Sequence, residues 1–412
     1  MTEVAQKLQQ VVFRRASRTV SNQYSKNIFK KLTDCHTGNM GVHHYRCESS
    51  ACSHEKYQFH SCGNRHCPNC GGAKRDQWIA DKEAELLPTA YYHIVFTLPH
   101  ELNSLIMGNR VAMYNLLFEA SSYTLLKLGA DPKFLGGTAS RARPGIISVL
   151  HTWGQQLAFH PHIHCIVSGG GENNGEWVPD KSKNQSYLFP KPIMQKIYKA
   201  VFLKKLRKLI ATDSLQIGEI DTTKLIEDVG KKHWNVYAKR PFSGPKTVLE
   251  YLGRYTHKTT ITPHRILEID EKCGTVMFKY KDYHHRGTDA ERKEMSISID
   301  EFIRRFEQHI LPFRYVRIRR GGHPHYGYLQ NHGRAKRLKG LFEKLNLPQP
   351  PAKMRIPVYV TIREKYGVDI RVCPKCKENH LELVATHYRG VNIKAFEKPS
   401  ENFRNKASQM EF

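Results

Sequence analysis

The sequence predicts an α+β chain, an antiparallel sheet with flanking helices preceded by a small cysteine-rich module, and three observations carry that expectation. Six of the ten cysteines crowd into positions 35–70. Beyond them, β-branched and aromatic runs alternate with stretches of helical spacing. Within that alternation, His160-Pro161-His162-Ile163-His164-Cys165-Ile166-Val167 repeats with period two, the signature of a strand that shows one face to a core.

Residues 1–30 read as a helical segment. In the module that follows, spanning 31–76, Cys67-Pro68-Asn69-Cys70 is a knuckle whose thiolates can grip one zinc ion, and Cys47 with Cys52 supplies a second pair at looser spacing. Cys35, His43, Cys62 and His66 would then complete a second, interleaved site, with His36, His44, His54 and His60 as substitutes. Thiols in a reducing compartment are metal ligands more often than disulfides, and so small a module folds around its metal.

A third region, 77–345, carries the sheet. Tyr91-Tyr92-His93-Ile94-Val95-Phe96-Thr97-Leu98 is a buried strand that stops at Pro99, and residues near 101–128 have helical spacing. Ile146-Ile147-Ser148-Val149-Leu150-His151 is a second strand, close enough to the histidine strand to be its antiparallel neighbour. Alternation places His162 and His164 side by side on one face and sends Ile163, Cys165 and Val167 to the core. His151, reaching across from the neighbouring strand, is the expected third ligand of one ion; His160, beyond a proline, competes for that place. Such a site keeps positions open for substrate oxygens and suits Mg²⁺ or Mn²⁺.

Further on, Tyr251-Leu252-Gly253-Arg254-Tyr255-Thr256-His257-Lys258 spaces two phenols four residues apart, which stacks both on one helix face. Each hydroxyl could attack a phosphodiester and store the bond as a phosphotyrosine, with Arg254 or Lys258 assisting. A basic amphipathic helix is expected around Phe202–Leu209. The run Arg314-Tyr315-Val316-Arg317-Ile318-Arg319-Arg320 mixes cations with an aromatic, as single-strand channels do. From 346 to 412 the sequence passes through the proline-rich Pro348-Gln349-Pro350-Pro351, expected to be a linker, to a further possible zinc knuckle, Cys373-Pro374-Lys375-Cys376, with a disordered tail behind it.

A formal net charge of +27 and a pI near 9.7 point to a polyanionic partner, DNA before an anionic membrane. No run of about 18 apolar residues occurs, and the start lacks the layout of a signal peptide. The expected location is therefore cytoplasmic, at the nucleoid.

In this order and at these separations, the Cys62–Cys70 segment, the His160–His164 motif and the Tyr251–His257 motif resemble the insertion sequence 91 family of rolling-circle transposases, over about residues 30–345. The resemblance implies an HUH endonuclease core with a ferredoxin-like antiparallel sheet, the metal-ligand role for His162 and His164, and the nucleophile role for Tyr251 and Tyr255. It also implies an enzyme that nicks single-stranded DNA at element ends through a 5′-phosphotyrosine. The four-residue gap between Cys47 and Cys52, where relatives often have two, departs from the pattern. A plasmid replication initiator or relaxase would share the chemistry, and a zinc-dependent DNA-binding protein would share only the module.

Overall fold

The computed structural model describes residues 2–70, 72–83, 85–135, 141–181, 187–239, 242, 247, 259–282, 291–319, 327–349 and 355–388. The described strands are β1 (Val42–Cys47), β2 (Glu55–Phe59), β3 (Tyr91–Thr97), β4 (Arg143–Trp153), β5 (Phe159–Asn173), β6 (Glu176–Pro179), β7 (Val236–Ala238), β8 (Ile266–Asp270), β9 (Thr275–Asp282), β10 (Glu291–Ser298), β11 (Ile318–Arg319) and β12 (Leu381–His387). They form three sheets. The largest runs β11-β4-β5-β3-β7, with β6 added to β5, and its neighbours are antiparallel.

One face of this sheet follows the alternation expected from sequence. Ile146 and Leu150 of β4, Ile163, Cys165 and Val167 of β5, and Ile94 and Phe96 of β3 point into a core closed by the helices Arg110–Gly129 and Lys191–Ala211. On the second helix Phe202, Leu203 and Leu206 face inward, while Lys204, Arg207 and Lys208 face solvent, giving the expected amphipathic arrangement. Phe202 and Tyr198 each pack 5.3 Å from the buried Trp234, centroid to centroid.

The opposite face is apolar only at one end. Ile147, Val149, Ile166 and Tyr91 pack there against Leu338, Leu341 and Phe342 of the helix Arg334–Lys344. Gly327 lets this layer approach closely: its φ is +61°, and a Cβ would fall 1.8 Å from the Pro144 carbonyl oxygen. Toward the β4–β5 turn the apolar cover ends and histidines begin.

A second core sits beyond that turn. Helices of the first 33 residues pack on the sheet β8-β9-β10 and on the helix Ile299–Gln308, around Phe13, Phe29 and Phe306, whose rings lie 5.1–5.9 Å apart. The last helix starts with a Ser-x-x-Glu box, in which the Ser298 hydroxyl accepts the Glu301 N–H at 3.2 Å. Leu157, at the β4–β5 turn with φ +60°, is fully buried in this second core. The turn is held from the same side: Arg305 donates to the Gln156 carbonyl, Arg265 to that of Gln155 and His309 to that of Leu157. Thus the hairpin that carries the histidines is rooted in one core and pinned at its tip by another.

The third sheet, β12-β1-β2, joins residues 42–59 to residues 381–387. The expected linker at Pro350 and Pro351 and the expected disordered tail lie outside the described residues. Among the described residues no helix is long and apolar enough to cross a membrane.

Candidate metal centres and active site

His151 and His162 are direct register partners on β4 and β5, and His164 lies two residues further on the same face. Each of the three offers a ring nitrogen, and the three atoms lie within 4.8 Å of one another. His160 stays outside this set, although its ring is 5.2 Å from that of His162.

Two hydrogen bonds decide which nitrogens are presented. The His162 Nδ1 donates to the His160 carbonyl at 2.7 Å, which leaves its Nε2 with a lone pair. The His164 Nδ1 lies 2.8 Å from Nε2 of His93 on β3, the two rings only 4° from coplanar. Burial pushes His162 and His93 down to about 3 and His164 well below the ordinary imidazole value. All three rings are therefore neutral, the form that ligates a metal. His93 was missed as a site residue because a histidine inside an apolar strand reads as core; its place two residues off the Val95–His164 register pair is the signal that could have found it.

The five cationic positions expected downstream, Arg254, Lys258, Arg317, Arg319 and Arg320, divide. Arg317 is buried, donates Nε to the Leu150 carbonyl at 3.1 Å and lies 5.0 Å over the Trp153 ring; burial pushes it down to about 9. The expectation of an open channel residue does not hold for it, because β11 inserts it beside β4. Arg319 stacks 4.1 Å over Phe118 and donates to Asn115 and the Tyr315 hydroxyl. Tyr251, Arg254, Tyr255, Lys258 and Arg320 lie outside the described residues.

The cysteines regroup relative to the sequence-based pairing. Cys35, Cys62, Cys67 and Cys70 converge, and so do Cys47, Cys52, Cys373 and Cys376. The expected partnership of Cys47 and Cys52 with Cys67 and Cys70 is thereby replaced, since β1 delivers its cysteine to the turn before β12 rather than to the 62–70 loop. His43 and His66 belong to neither quartet. His43 bonds the Thr386 hydroxyl at 2.9 Å and packs on His60. His66 is buried, and desolvation with nearby Arg317 and Arg65 pushes it down to about 3.

The first quartet fits a tetrahedral zinc. A Zn–S bond of about 2.3 Å implies sulfur separations of about 3.8 Å, and Cys35–Cys67 and Cys62–Cys70 are 3.6 and 3.7 Å apart. Backbone N–H groups of Cys62, Asn64 and Asn69 point at Sγ of Cys35, Cys62 and Cys67. Hydrogen bonding to Cys62 holds Cys35 protonated and bonding to Cys35 does the same for Cys67, so four thiolates need a cation to coexist. Gln9, buried on a π-helical turn (Leu8–Phe13), donates its amide to the Thr33 and Cys35 carbonyls and ties the first helix to this loop.

Residues 4–98 match the family described as "Transposase zinc-binding domain", and residues 145–336 match the family described as "Putative transposase". The chain is 36% identical over 382 residues to "Putative transposase y4qJ" of Sinorhizobium fredii (strain NBRC 101917 / NGR234), covering 89% of this chain and 90% of that relative. It is 33% identical over 375 residues to "Transposase for insertion sequence element IS801" of Pseudomonas savastanoi pv. phaseolicola, covering 89% and 85%. Among solved structures, conjugative relaxase TrwC in complex with oriT DNA, in its metal-bound form, is similar at 12% identity with a TM-score of 0.24. That likeness covers 41% of this chain and 71% of the relaxase.

Proposed function

Because the chain belongs to the insertion sequence 91 family of transposases, we propose that it works by rolling-circle transposition, with the histidine hairpin as the centre of an HUH endonuclease core. It is an enzyme of DNA strand transfer, it binds DNA, and its zinc is structural. The convergence of His151, His162 and His164 at the end of the sheet carries the reading. The order β7-β3-β5-β4, with helices in the β3–β4 and β5–β7 connections, supports a ferredoxin-like core.

The three imidazoles of His151, His162 and His164 fit a divalent ion, their nitrogen donors favouring Mn²⁺ over Mg²⁺. Bound there, such an ion would polarise the scissile phosphate. The His160 carbonyl fixes His162 in a ligating tautomer, and His93, by accepting from His164 Nδ1, would do the same for His164. Single-stranded DNA at the element ends is the substrate, and Tyr251 and Tyr255 are the nucleophiles. A tyrosine oxygen bonds to phosphorus and the P–O3′ bond breaks; the phenolic proton is given up and the departing 3′ oxygen is protonated to a hydroxyl that can prime replication. Two tyrosines allow two successive transfers.

The test is the Tyr251→Phe, Tyr255→Phe double variant incubated with labelled single-stranded oligonucleotides bearing an element end. It should bind like the parent yet form no denaturation-resistant adduct, and mass spectrometry should map the parent's adduct to one of these two residues. An adduct that persists in the double variant would refute the assignment.

A further inference from the structure

We propose that Cys47, Cys52, Cys373 and Cys376 form a second structural zinc site, a clasp that closes the sheet β12-β1-β2 across segments 321 and 329 residues apart. The family match to a zinc-binding domain ends at residue 98 and so contains only half of this ligand set. The inference is independent of the tyrosine chemistry.

Cys47 Sγ lies 3.6 Å from Cys376 Sγ, and Cys52 Sγ lies 3.8 Å from Cys373 Sγ, again the edge of about 3.8 Å that tetrahedral Zn–S bonds require. A disulfide would bring one pair to about 2 Å and leave the other two sulfurs without a role; here all four converge. Both arms are preformed turns. Cys52 N–H bonds the Ser49 carbonyl and Cys47 N–H that of His54; opposite them, Lys377 N–H bonds the Cys373 carbonyl, with Lys377 at φ +61° closing the knuckle.

Little else holds this junction together. Among the described residues the apolar cluster here consists of the cysteines themselves and Leu381, whereas Leu383 and Val384 on β12 are about half exposed. Backbone ladder bonds between β1 and β12 persist poorly without buried surface beneath them. Metal ligation supplies the missing free energy, as in other modules too small for a core.

The experiment uses the full chain reloaded with Co²⁺, whose thiolate charge-transfer absorption reports cysteine sites and is silent for an all-histidine site. The parent should saturate at two thiolate-bound equivalents. The Cys373→Ser, Cys376→Ser variant should fall to one, and amides of Val42–Cys47 and Leu381–His387 should lose hydrogen-exchange protection while those of β3 and β5 keep it. Saturation of the parent at one equivalent, or retention of two by the variant, overturns the proposal. Should the variant not fold, the zinc-loaded parent decides under chelator titration. Cys47, Cys52, Cys373 and Cys376 should become alkylatable together. Labelling of Cys373 while Cys47 stays protected, or a Cys47–Cys376 disulfide in the metal-loaded chain, overturns it equally.

Discussion

Replacing His93 with Phe tests whether the histidine hairpin is a metal site tuned from the neighbouring strand. The ring of His93 is 2% exposed and sets its Nε2 2.8 Å from His164 Nδ1. For His164 to ligate through Nε2, its Nδ1 must carry the proton and His93 must accept it. Phe keeps the volume and removes that acceptor. Loss of such an outer partner typically weakens metal affinity by about 10–100-fold, or about 1.4–2.8 kcal/mol. The same range is expected for a buried N–H deprived of an acceptor, about 1–3 kcal/mol. Free Mn²⁺ followed by electron paramagnetic resonance, in a chain already loaded with zinc, measures the constant directly. His93→Gln, which can return an oxygen acceptor, should recover most of the loss, and His164→Ala should lose more than either. Mn²⁺ affinity in His93→Phe equal to that of the parent, with zinc content and melting temperature unchanged, would refute the reasoning.

Phe202→Ala should cost about 3–5 kcal/mol through the cavity it leaves beside Tyr198 and Trp234; calorimetry should show the lower melting temperature at unaltered zinc content. The fully buried His309 is held neutral, pushed down to about 4 by burial. It donates to the Leu157 carbonyl at 3.0 Å and meets the Thr152 hydroxyl at 3.2 Å. An unfolded chain takes up this proton near pH 6.5 and the folded one only near 4, so its contribution is whole above about 6.5 and is lost as pH falls toward 4. Denaturant titrations of His309→Gln should therefore show a shallower loss of stability across that window than the parent. Gly327→Ala should destabilise by several times the cost of an ordinary surface substitution, about 0.5 kcal/mol, because its Cβ would strike the Pro144 carbonyl; circular dichroism melts check it.

The hairpin was legible because its information is local. Period-two alternation assigned faces to residues 160–167, and the short gap to His151 implied the antiparallel partner, which the register His151–His162 reproduces. Cysteine grouping was not legible, since spacing along a chain encodes turns but not which distant turn closes on them; only the pairing of β1 with β12 decides it. Arg317 misled for a related reason. An arginine in a basic run reads as solvated, yet the pairing of Ile318 with Val149 draws it beneath Trp153. The sheet β8-β9-β10 and its helix went unread, although Ser298-Ile299-Asp300-Glu301 was a helix start in plain view.

Leu157 anchors more than a turn. With its side chain sunk in the second core and its carbonyl held by His309, the hairpin cannot slide by one position without tearing out that plug. A single-residue slip would swing His162 and His164 to the opposite side of the sheet and bring Ile163 and Cys165 to where they had been. Lengthening the 154–158 loop by one residue, ordinarily among the mildest changes a surface tolerates, should here exchange a histidine-lined edge for a greasy one. Drift in this family is thus expected to spare loop length at that spot more strictly than loop composition.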